Sequence, residues 1–337
     1  MSAEPRRTPR ESSPLRLVFF GTPEIAVPTL ERLLASRHPV VGVVSQPDRG
    51  RGRGRKESPS PVAEVALRAG VPLLRPEKVG AADCVEAMRA WRPDLGVVVA
   101  FGQFLPKTVR ELPAKGYLIN AHASLLPRHR GAAPIARAIL EGDAETGISV
   151  MRIEKEMDAG PVAAVARMPI APRENTAELS SRLASLAADL ILDVVEAIDA
   201  ERVVWSEQDA SRATHAAKIE KRDAILDPRE RAQALARRIH ALAPRPGASL
   251  VLVQGGTRTE LKLLRADALP FACGEAPAPG TVDRSAPALP LRIATGEGWL
   301  VPLEMQRPGG KPLAIADFLR GFPIEADARF ERAPEPA

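Results

Sequence analysis

The sequence predicts an α/β domain built on a doubly wound, mostly parallel, Rossmann-like sheet, followed by a smaller C-terminal domain that we expect to be an OB-like β-barrel. In the N-terminal part of the chain, short apolar runs of strand length alternate with helical patterns, which is typical of a doubly wound sheet. The run from Leu95 to Ala100 contains no charged residue, as expected for a parallel strand covered on both faces. Beyond residue 248, pairs of short strands separated by glycines indicate a small antiparallel domain.

The elements of the first domain can be assigned in chain order. Leu15–Phe20 predicts the first strand, and Thr22 and Pro23 then suit the N-cap and first position of a helix. Further strands are predicted at Pro39–Val44, Asp94–Ala100, Tyr117–Asn120 and Thr146–Ile153, and further helices at Pro61–Ala69, Cys84–Trp91, Pro134–Leu140 and Thr176–Ile198.

After residue 202 the character of the chain changes. Val203–Ala217 is polar and without clear periodicity, so it predicts a linker. One helix follows at about 229–242, then two predicted strand pairs, 249–253 with 260–264 and 291–294 with 299–305. The predicted boundaries are a disordered extension at 1–14, a catalytic domain at 15–202, the linker at 203–217, a β-rich domain at 218–325 and a tail at 326–337.

Composition excludes several classes of protein. The two cysteines, Cys84 and Cys273, lie too far apart for a metal-ligand motif or a disulfide framework. No apolar run approaches the roughly 20 residues that span a bilayer, and residues 1–14 lack the apolar stretch of a signal peptide, so we expect a cytoplasmic protein. The net charge of +5 suits a polyanionic partner, although only weakly.

The residues with the clearest chemical potential follow a predicted strand, in the segment Asn120–Pro127. Asn120 and His122 are two apart, so in an extended chain their side chains point to the same side. They lie at the carboxyl end of the strand, where open α/β sheets bind ligands. An amide donor beside an imidazole suits acyl transfer, because the amide can stabilise an oxyanion while the imidazole moves a proton or stabilises charge.

A carboxylate, Asp158, follows the next predicted strand, also at its carboxyl end. It could orient His122 and stabilise positive charge on the imidazole, or relay a proton. On its own, Asp158 also fits an ordinary turn, because Asp-x-Gly is turn chemistry.

These motifs resemble those of the folate-dependent formyltransferases. The resemblance lies in Asn-x-His followed by Ser-Leu-Leu-Pro, with an Asp-x-Gly loop 36 positions after His122. Within that family the chain is most similar to the members that act on methionyl-tRNA. The stretches that point to them are Phe20–Glu24, Gln46–Arg49 with the basic residues that follow, Ser58–Pro61 and Arg130–Pro134.

The resemblance implies a function and its residues. It implies formyl transfer from 10-formyltetrahydrofolate, as co-substrate and without a metal, to the α-amino group of methionyl-initiator tRNA, by an enzyme expected to be a monomer with no membrane partner. Asn120, His122 and Asp158 resemble the catalytic trio. The implied folate contacts are Ser124, Leu125, Leu126 and Pro127, and the implied tRNA contacts are Arg49, Arg51, Arg53, Arg55 and Lys56.

The basic segment has a physical character of its own. Residues 49–56 hold five cations with glycines between them, so the segment cannot form a core but can adapt to phosphates and become ordered on binding. A solvated, disordered loop without a partner is the less favoured alternative.

Three other functions fit parts of the sequence. A formyltransferase acting on another amine, such as a nucleotide sugar, would use the same trio, but the basic loop and the C-terminal domain favour tRNA. A nonenzymatic RNA-binding protein would need the loop and the barrel but not the trio. An oxidoreductase with a nucleotide cofactor would need a glycine fingerprint, and the glycines at 50, 52 and 54 have the wrong spacing for one.

Overall fold

A computed structural model describes residues 13–51, 56–275, 277–286 and 288–335. Within them the chain forms two compact units that interleave along the sequence. Unit 1 takes in the described chain up to Pro127, with Gly147–Ala166 and Leu183–Ala213. Unit 2 takes in Arg128–Thr146, Arg167–Arg182 and the described chain from Thr214 onward.

The strands and helices are numbered here in chain order. The strands are β1 (Leu17–Gly21), β2 (Val40–Val44), β3 (Arg49–Arg51), β4 (Lys56–Ser58), β5 (Leu73–Leu74), β6 (Leu95–Val99), β7 (Leu118–His122), β8 (Arg130–Gly131), β9 (Glu145–Arg152), β10 (Val162–Pro169), β11 (His215–Ala216), β12 (Ala248–Gln254), β13 (Thr257–Leu269), β14 (Val282–Asp283), β15 (Arg292–Ala294), β16 (Trp299–Gln306), β17 (Leu313–Ala314) and β18 (Arg329–Arg332). The helices are α1 (Val27–Leu34), α2 (Pro61–Arg68), α3 (Ala82–Ala90), α4 (Lys107–Arg110), α5 (Pro134–Glu141), α6 (Thr176–Asp199), α7 (Ala232–Leu242) and α8 (Ile315–Gly321), with 3₁₀ turns at Glu24–Ala26, Ala210–Arg212 and Lys221–Ala224.

The larger α/β sheet has the strand order β10-β9-β7-β6-β1-β2-β5. The pairs β2–β5, β1–β2, β1–β6 and β6–β7 are parallel, whereas β9 runs antiparallel to β7. All five residues of β1 and of β6 are buried, as their unbroken apolar sequences predict. The doubly wound, mostly parallel sheet is therefore confirmed, with an antiparallel extension that the sequence reading did not include.

The C-terminal residues form a second, antiparallel sheet in the order β14-β15-β16-β13-β12-β18. A further bridge between Thr281 and Arg329 joins the region before β14 to β18, so that the two ends of the sheet meet as in a small barrel. The inner face of this sheet is apolar and encloses Leu250, Leu263 and Phe330. This confirms the expected small β domain.

A side-chain hydrogen bond explains where α2 begins, but not where the first helix begins. Ser60 caps α2, because its Oγ accepts a hydrogen bond from the backbone N–H of Ala63. The prediction that Thr22 caps the first helix is wrong. Its hydroxyl instead donates to the carbonyl of Phe101 and accepts from the N–H of Gln46, so it links the ends of β1, β2 and β6.

The length and apolar character of the helices decide whether any of them could span a membrane. Across the described ranges, no helix is both long enough and apolar enough to cross a bilayer.

Candidate active site

The first two candidate residues lie on β7, which is paired on both sides. Asn120 stands opposite Val98 of β6 and Met151 of β9, and His122 stands opposite Ser149 of β9. Because alternate side chains of a strand share a face, the amide and the imidazole project to the same side. His122 is 6% exposed, so most of its imidazole is shielded from water.

The third candidate residue meets the second. Asp158 lies in the loop between β9 and β10, and its Oδ2 is 3.5 Å from Nδ1 of His122. That distance is a close contact, longer than an ordinary N–H···O hydrogen bond. Both side chains are largely shielded, with 6% of the histidine side chain and 15% of the aspartate side chain exposed. The backbone of Asp158 is left-handed, with φ of 52°.

A residue that the sequence reading did not select holds the backbone of the Asp158 loop. The side-chain amide of Gln208 donates to the carbonyl oxygens of Asp158 and Gly160, both at 2.8 Å. Gln208 belongs to the stretch that was predicted to be a linker. No periodicity or motif distinguishes a single glutamine in a polar segment, so only the coordinates identify it.

The segment proposed to contact folate is fixed by a second residue that sequence reasoning missed. Ser149 of β9 donates its hydroxyl to the carbonyl of Ser124 at 2.7 Å and accepts the N–H of Leu126 at 3.1 Å. Ser124 itself is fully buried, whereas Leu125, Leu126 and Pro127 are partly exposed. A ligand that approaches this segment would therefore contact Leu125, Leu126 and Pro127 before it reached the hydroxyl of Ser124.

A cavity of about 330 Å³ opens at the carboxyl ends of the parallel strands. Thr22, Gln46 and Phe101 line it, following β1, β2 and β6 respectively. Since β6 and β7 are parallel neighbours, the cavity opens at the same edge of the sheet as Asn120 and His122. This is the edge at which open α/β sheets bind ligands.

A larger cavity, of about 450 Å³, lies in unit 2 between α5, α7 and β13. Its lining includes Arg173, Arg237 and His240 but none of the three candidate residues. Burial and the neighbouring Arg265 lower the pKa of His240, so its imidazole favours the neutral form. Neither cavity is lined by Asn120, His122 or Asp158. We place the candidate site at the smaller cavity because it opens at the strand edge where β7 carries Asn120 and His122 and where Asp158 meets His122.

Two clusters in the described part of the chain have the spacing of metal ligands. They are His38 with Glu196 and Asp199, and His129 with Glu141 and Asp143. In each cluster an arginine, Arg37 or Arg128, is already bonded to both carboxylates. Neither cluster includes Asn120, His122 or Asp158.

The residues predicted to contact tRNA are only partly described. Arg53 and Arg55 lie outside the described residues. The backbones of Arg49, Arg51 and Lys56 belong to an antiparallel strand pair in which β3 and β4 form a hairpin.

Comparison with known proteins gives the family. The family model described as formyl transferase matches residues 15–195, and the model for the formyl transferase C-terminal domain matches residues 218–323. The methionyl-tRNA formyltransferase of Bradyrhizobium diazoefficiens is 42% identical over 318 residues, covering 94% of this chain and 99% of the relative. The protein of the same name from Methylococcus capsulatus is 45% identical over 310 residues, covering 92% and 98%.

Solved structures share the fold at low identity. An N-formyltransferase from Helicobacter canadensis, crystallised with folinic acid and dTDP-3-aminofucose, matches with a TM-score of 0.58 at 15% identity, covering 86% of this chain and 98% of that one. HypX from Aquifex aeolicus, in complex with tetrahydrofolic acid, matches with a TM-score of 0.59 at 18% identity, covering 90% of this chain and 47% of that one. With its folded domains, its paired site residues and the relatives above, this chain belongs to the formyl transferase family and carries both the N-terminal and the C-terminal domain of that family.

Proposed function

We propose that this protein transfers the formyl group of 10-formyltetrahydrofolate to the α-amino group of methionyl-initiator tRNA, giving formylmethionyl-tRNA for translation initiation in the cytoplasm. The observation that carries the proposal is the pairing of His122 with Asp158, 3.5 Å apart, at the end of the strand that also bears Asn120. Relatives named for this reaction, 42% and 45% identical over nearly the whole chain, support the choice of acceptor.

The reaction needs stabilisation of charge at one carbon. The neutral amine attacks the formyl carbon, and the resulting tetrahedral intermediate carries a negative oxygen and a positive nitrogen. Asn120 and His122 donate hydrogen bonds to that oxygen, and the partial burial of the site strengthens the interaction. Asp158 orients the imidazole and stabilises positive charge on it.

Collapse of the intermediate completes the transfer. The new bond joins the formyl carbon to the α-nitrogen, and the bond that breaks joins the same carbon to N10 of the folate. One proton leaves the attacking nitrogen and one is delivered to N10, so charge and atoms balance. His122 is the group placed to move a proton from the attacking nitrogen to N10, directly or through one water molecule.

The reduced folate is a substrate of this reaction, and the surface around the site suits it. The partly exposed Leu125, Leu126 and Pro127 offer apolar contact to a flat ring, and the cavity at the strand ends adds polar groups from Thr22 and Gln46. The sequence between β7 and α5 is tied down by Ser149, which favours a preformed contact.

The tRNA contact is assigned to the basic loop and the C-terminal β domain. Arg49, Arg51, Arg53, Arg55 and Lys56 supply five positive charges in eight residues, which suits the phosphates of an acceptor stem. The enzyme is proposed to act as a monomer on this substrate.

The test is a comparison of acceptors. The purified protein is assayed with 10-formyltetrahydrofolate and charged initiator tRNA, and in parallel with free methionine and a nucleotide-linked amino sugar. Formylation of the tRNA with at most trace activity on the small amines supports the proposal. Preference for the amino sugar would overturn it in favour of a sugar formyltransferase, and binding of RNA without formylation would indicate a nonenzymatic protein.

A further inference from the structure

The segment Val203–Gln208, which we call the strap, runs antiparallel to the start of β10. Val162 and Ser206 exchange two backbone hydrogen bonds, of 2.8 and 2.9 Å. Both residues belong to unit 1, so the strap is part of the same compact unit as the site. The sequence of the strap does not reveal this, because one bridging pair leaves no alternating pattern.

An aromatic stack anchors the strap to the strands that form the site. The guanidinium of Arg152, at the end of β9, lies 4.3 Å from the ring of Trp205 and 4.2 Å from the ring of Tyr117. Tyr117 directly precedes β7, so the stack joins the start of β7, the end of β9 and the strap. A guanidinium over the face of an aromatic ring is attracted by the ring quadrupole, so the stack stabilises this arrangement.

At the far end of the strap, Gln208 reaches the loop that carries Asp158. Its two donated bonds, each of 2.8 Å, hold the carbonyls on either side of Ala159. Gly160 is constrained from the other side, since a Cβ there would lie 2.1 Å from the carbonyl oxygen of Arg152. The Asp158 backbone is thus fixed between β9 and the strap.

The rest of this loop has little packing to hold it. Glu154, Lys155, Glu156 and Met157 are all exposed, and Met157 is 64% exposed despite its apolar side chain. The left-handed φ of 52° at Asp158 is uncommon outside glycine, asparagine and aspartate, and bonds from neighbouring groups help to hold it. The amide of Gln208 supplies two such bonds.

We infer that Gln208 is a positioning residue, which acts through the backbone of the Asp158 loop to keep that carboxylate against His122. The inference rests on the proposed catalytic role of Asp158. Replacing Gln208 releases the loop, so the carboxylate leaves its place 3.5 Å from the imidazole in a fraction of molecules. Because the Gln208 amide donates to two carbonyls of the loop, we expect the loss to fall on turnover.

The expected effect follows from geometry. Gln208→Ala is expected to lower kcat by about 10- to 100-fold, the range for sub-ångström to ångström displacement of a catalytic group. The KM values for tRNA and folate are expected to change less than about threefold, because the substitution leaves the contacts that bind the two substrates in place. Gln208→Glu, which keeps the shape but offers only acceptors to two carbonyl oxygens, is expected to lower kcat at least as much.

The decisive experiment is a double-mutant cycle between Gln208→Ala and Asp158→Asn, measured as the single-turnover rate of formyl transfer with excess folded enzyme. If Gln208 acts through Asp158, the double variant is as slow as Asp158→Asn alone. If the two effects multiply, or if Gln208→Ala turns over at the wild-type rate while Asp158→Asn is slow, Gln208 is not a positioning residue. If Asp158→Asn itself keeps the wild-type rate, the proposed role of Asp158 fails first, and the inference falls with it.

A matched variant separates positioning from general destabilisation. The hydroxyl of Ser36 likewise bonds two backbone groups, donating to the carbonyl of Leu33 and accepting the N–H of His38. Ser36→Ala removes a similar pair of bonds far along the chain from the site residues. It is expected to lower the melting temperature about as much as Gln208→Ala while leaving kcat unchanged. Equal losses of kcat in both variants would show that the Gln208 effect is merely structural.

Discussion

Strand β7 and the loop that carries Asp158 contribute to one site but are held in different ways. β7 is paired to β6 on one side and to β9 on the other, and Asn120 and His122 are part of those ladders. The Asp158 loop has four consecutive exposed residues before the aspartate, and tethers from Gln208 and a close approach at Gly160 fix its backbone. The comparison teaches that the proposed oxyanion donors, Asn120 and His122, are part of the core sheet, whereas the carboxylate of Asp158 is held by a few polar contacts.

The largest expected effect comes from a change on β7, the strand that is paired on both sides. Asn120→Ala removes the hydrogen-bond donor that we propose for the oxyanion, and kcat is expected to fall by about 10²–10³-fold with little change in either KM. Because the side chain is not needed for the backbone ladder, the melting temperature is expected to stay close to that of the wild type. A variant with normal kcat would remove Asn120 from the mechanism.

The next largest effect is expected when a methyl group is added to the backbone of the loop that carries Asp158. In Gly160→Ala the new Cβ would lie 2.1 Å from the carbonyl oxygen of Arg152, so the loop must shift and kcat is expected to fall about 10–100-fold. Gly147→Ala is the matched change on β9, where the Cβ would lie 2.0 Å from the carbonyl oxygen of Ala166 on β10 and 2.6 Å from Cδ2 of Leu125 in the proposed folate segment. Gly147→Ala is expected to raise the KM for folate instead. A loss of kcat in Gly147→Ala together with a raised folate KM in Gly160→Ala would contradict the comparison.

A smaller and separable effect is expected from the basic segment 49–56, which includes none of the three proposed catalytic residues. Replacing Arg53 and Arg55 with alanine is expected to raise the KM for charged tRNA and to leave kcat and the folate KM in place. The dependence of log KM on log salt concentration should become shallower by about one unit for each phosphate that the variant no longer neutralises. A tRNA KM and salt slope identical to those of the wild type would exclude these arginines from tRNA binding.

The smallest effect sharpens the account of the folate segment. Ser149→Ala removes two hydrogen bonds that pin Ser124 and Leu126, which costs about 1–3 kcal/mol of unfolding free energy in total. The loosened segment is expected to raise the KM for folate severalfold while kcat changes little. Ser36→Ala, which also removes one donated and one accepted bond, is the control and should lower stability without altering the folate KM.

The sequence was sufficient for most of the fold because the parallel strands are short apolar runs with clear ends. β1, β2, β6 and β7 were predicted to within a few residues, and the periodic helix α6 almost to its bounds. β10 was not predicted, since its side chains are half-buried or exposed and its sequence, rich in alanine, lacks the β-branched pattern of a strand.

The candidate site was predictable only in part. Asn120 and His122 stand out because two chemically useful side chains follow a strand at a spacing of two. The proximity of Asp158 to His122 depends on β9 pairing with β7, and a local pattern does not show which strands pair. Gln208 and Ser149 act through backbone groups distant in sequence, so neither produces a motif.

The most direct test of the central claim is a cycle between His122→Ala and Asp158→Ala, followed by the single-turnover rate of formyl transfer to charged initiator tRNA. If the carboxylate acts by orienting and stabilising the imidazole, the double variant will be no slower than His122→Ala alone. Rate losses that multiply, or a His122→Ala enzyme as fast as the wild type, would contradict the account.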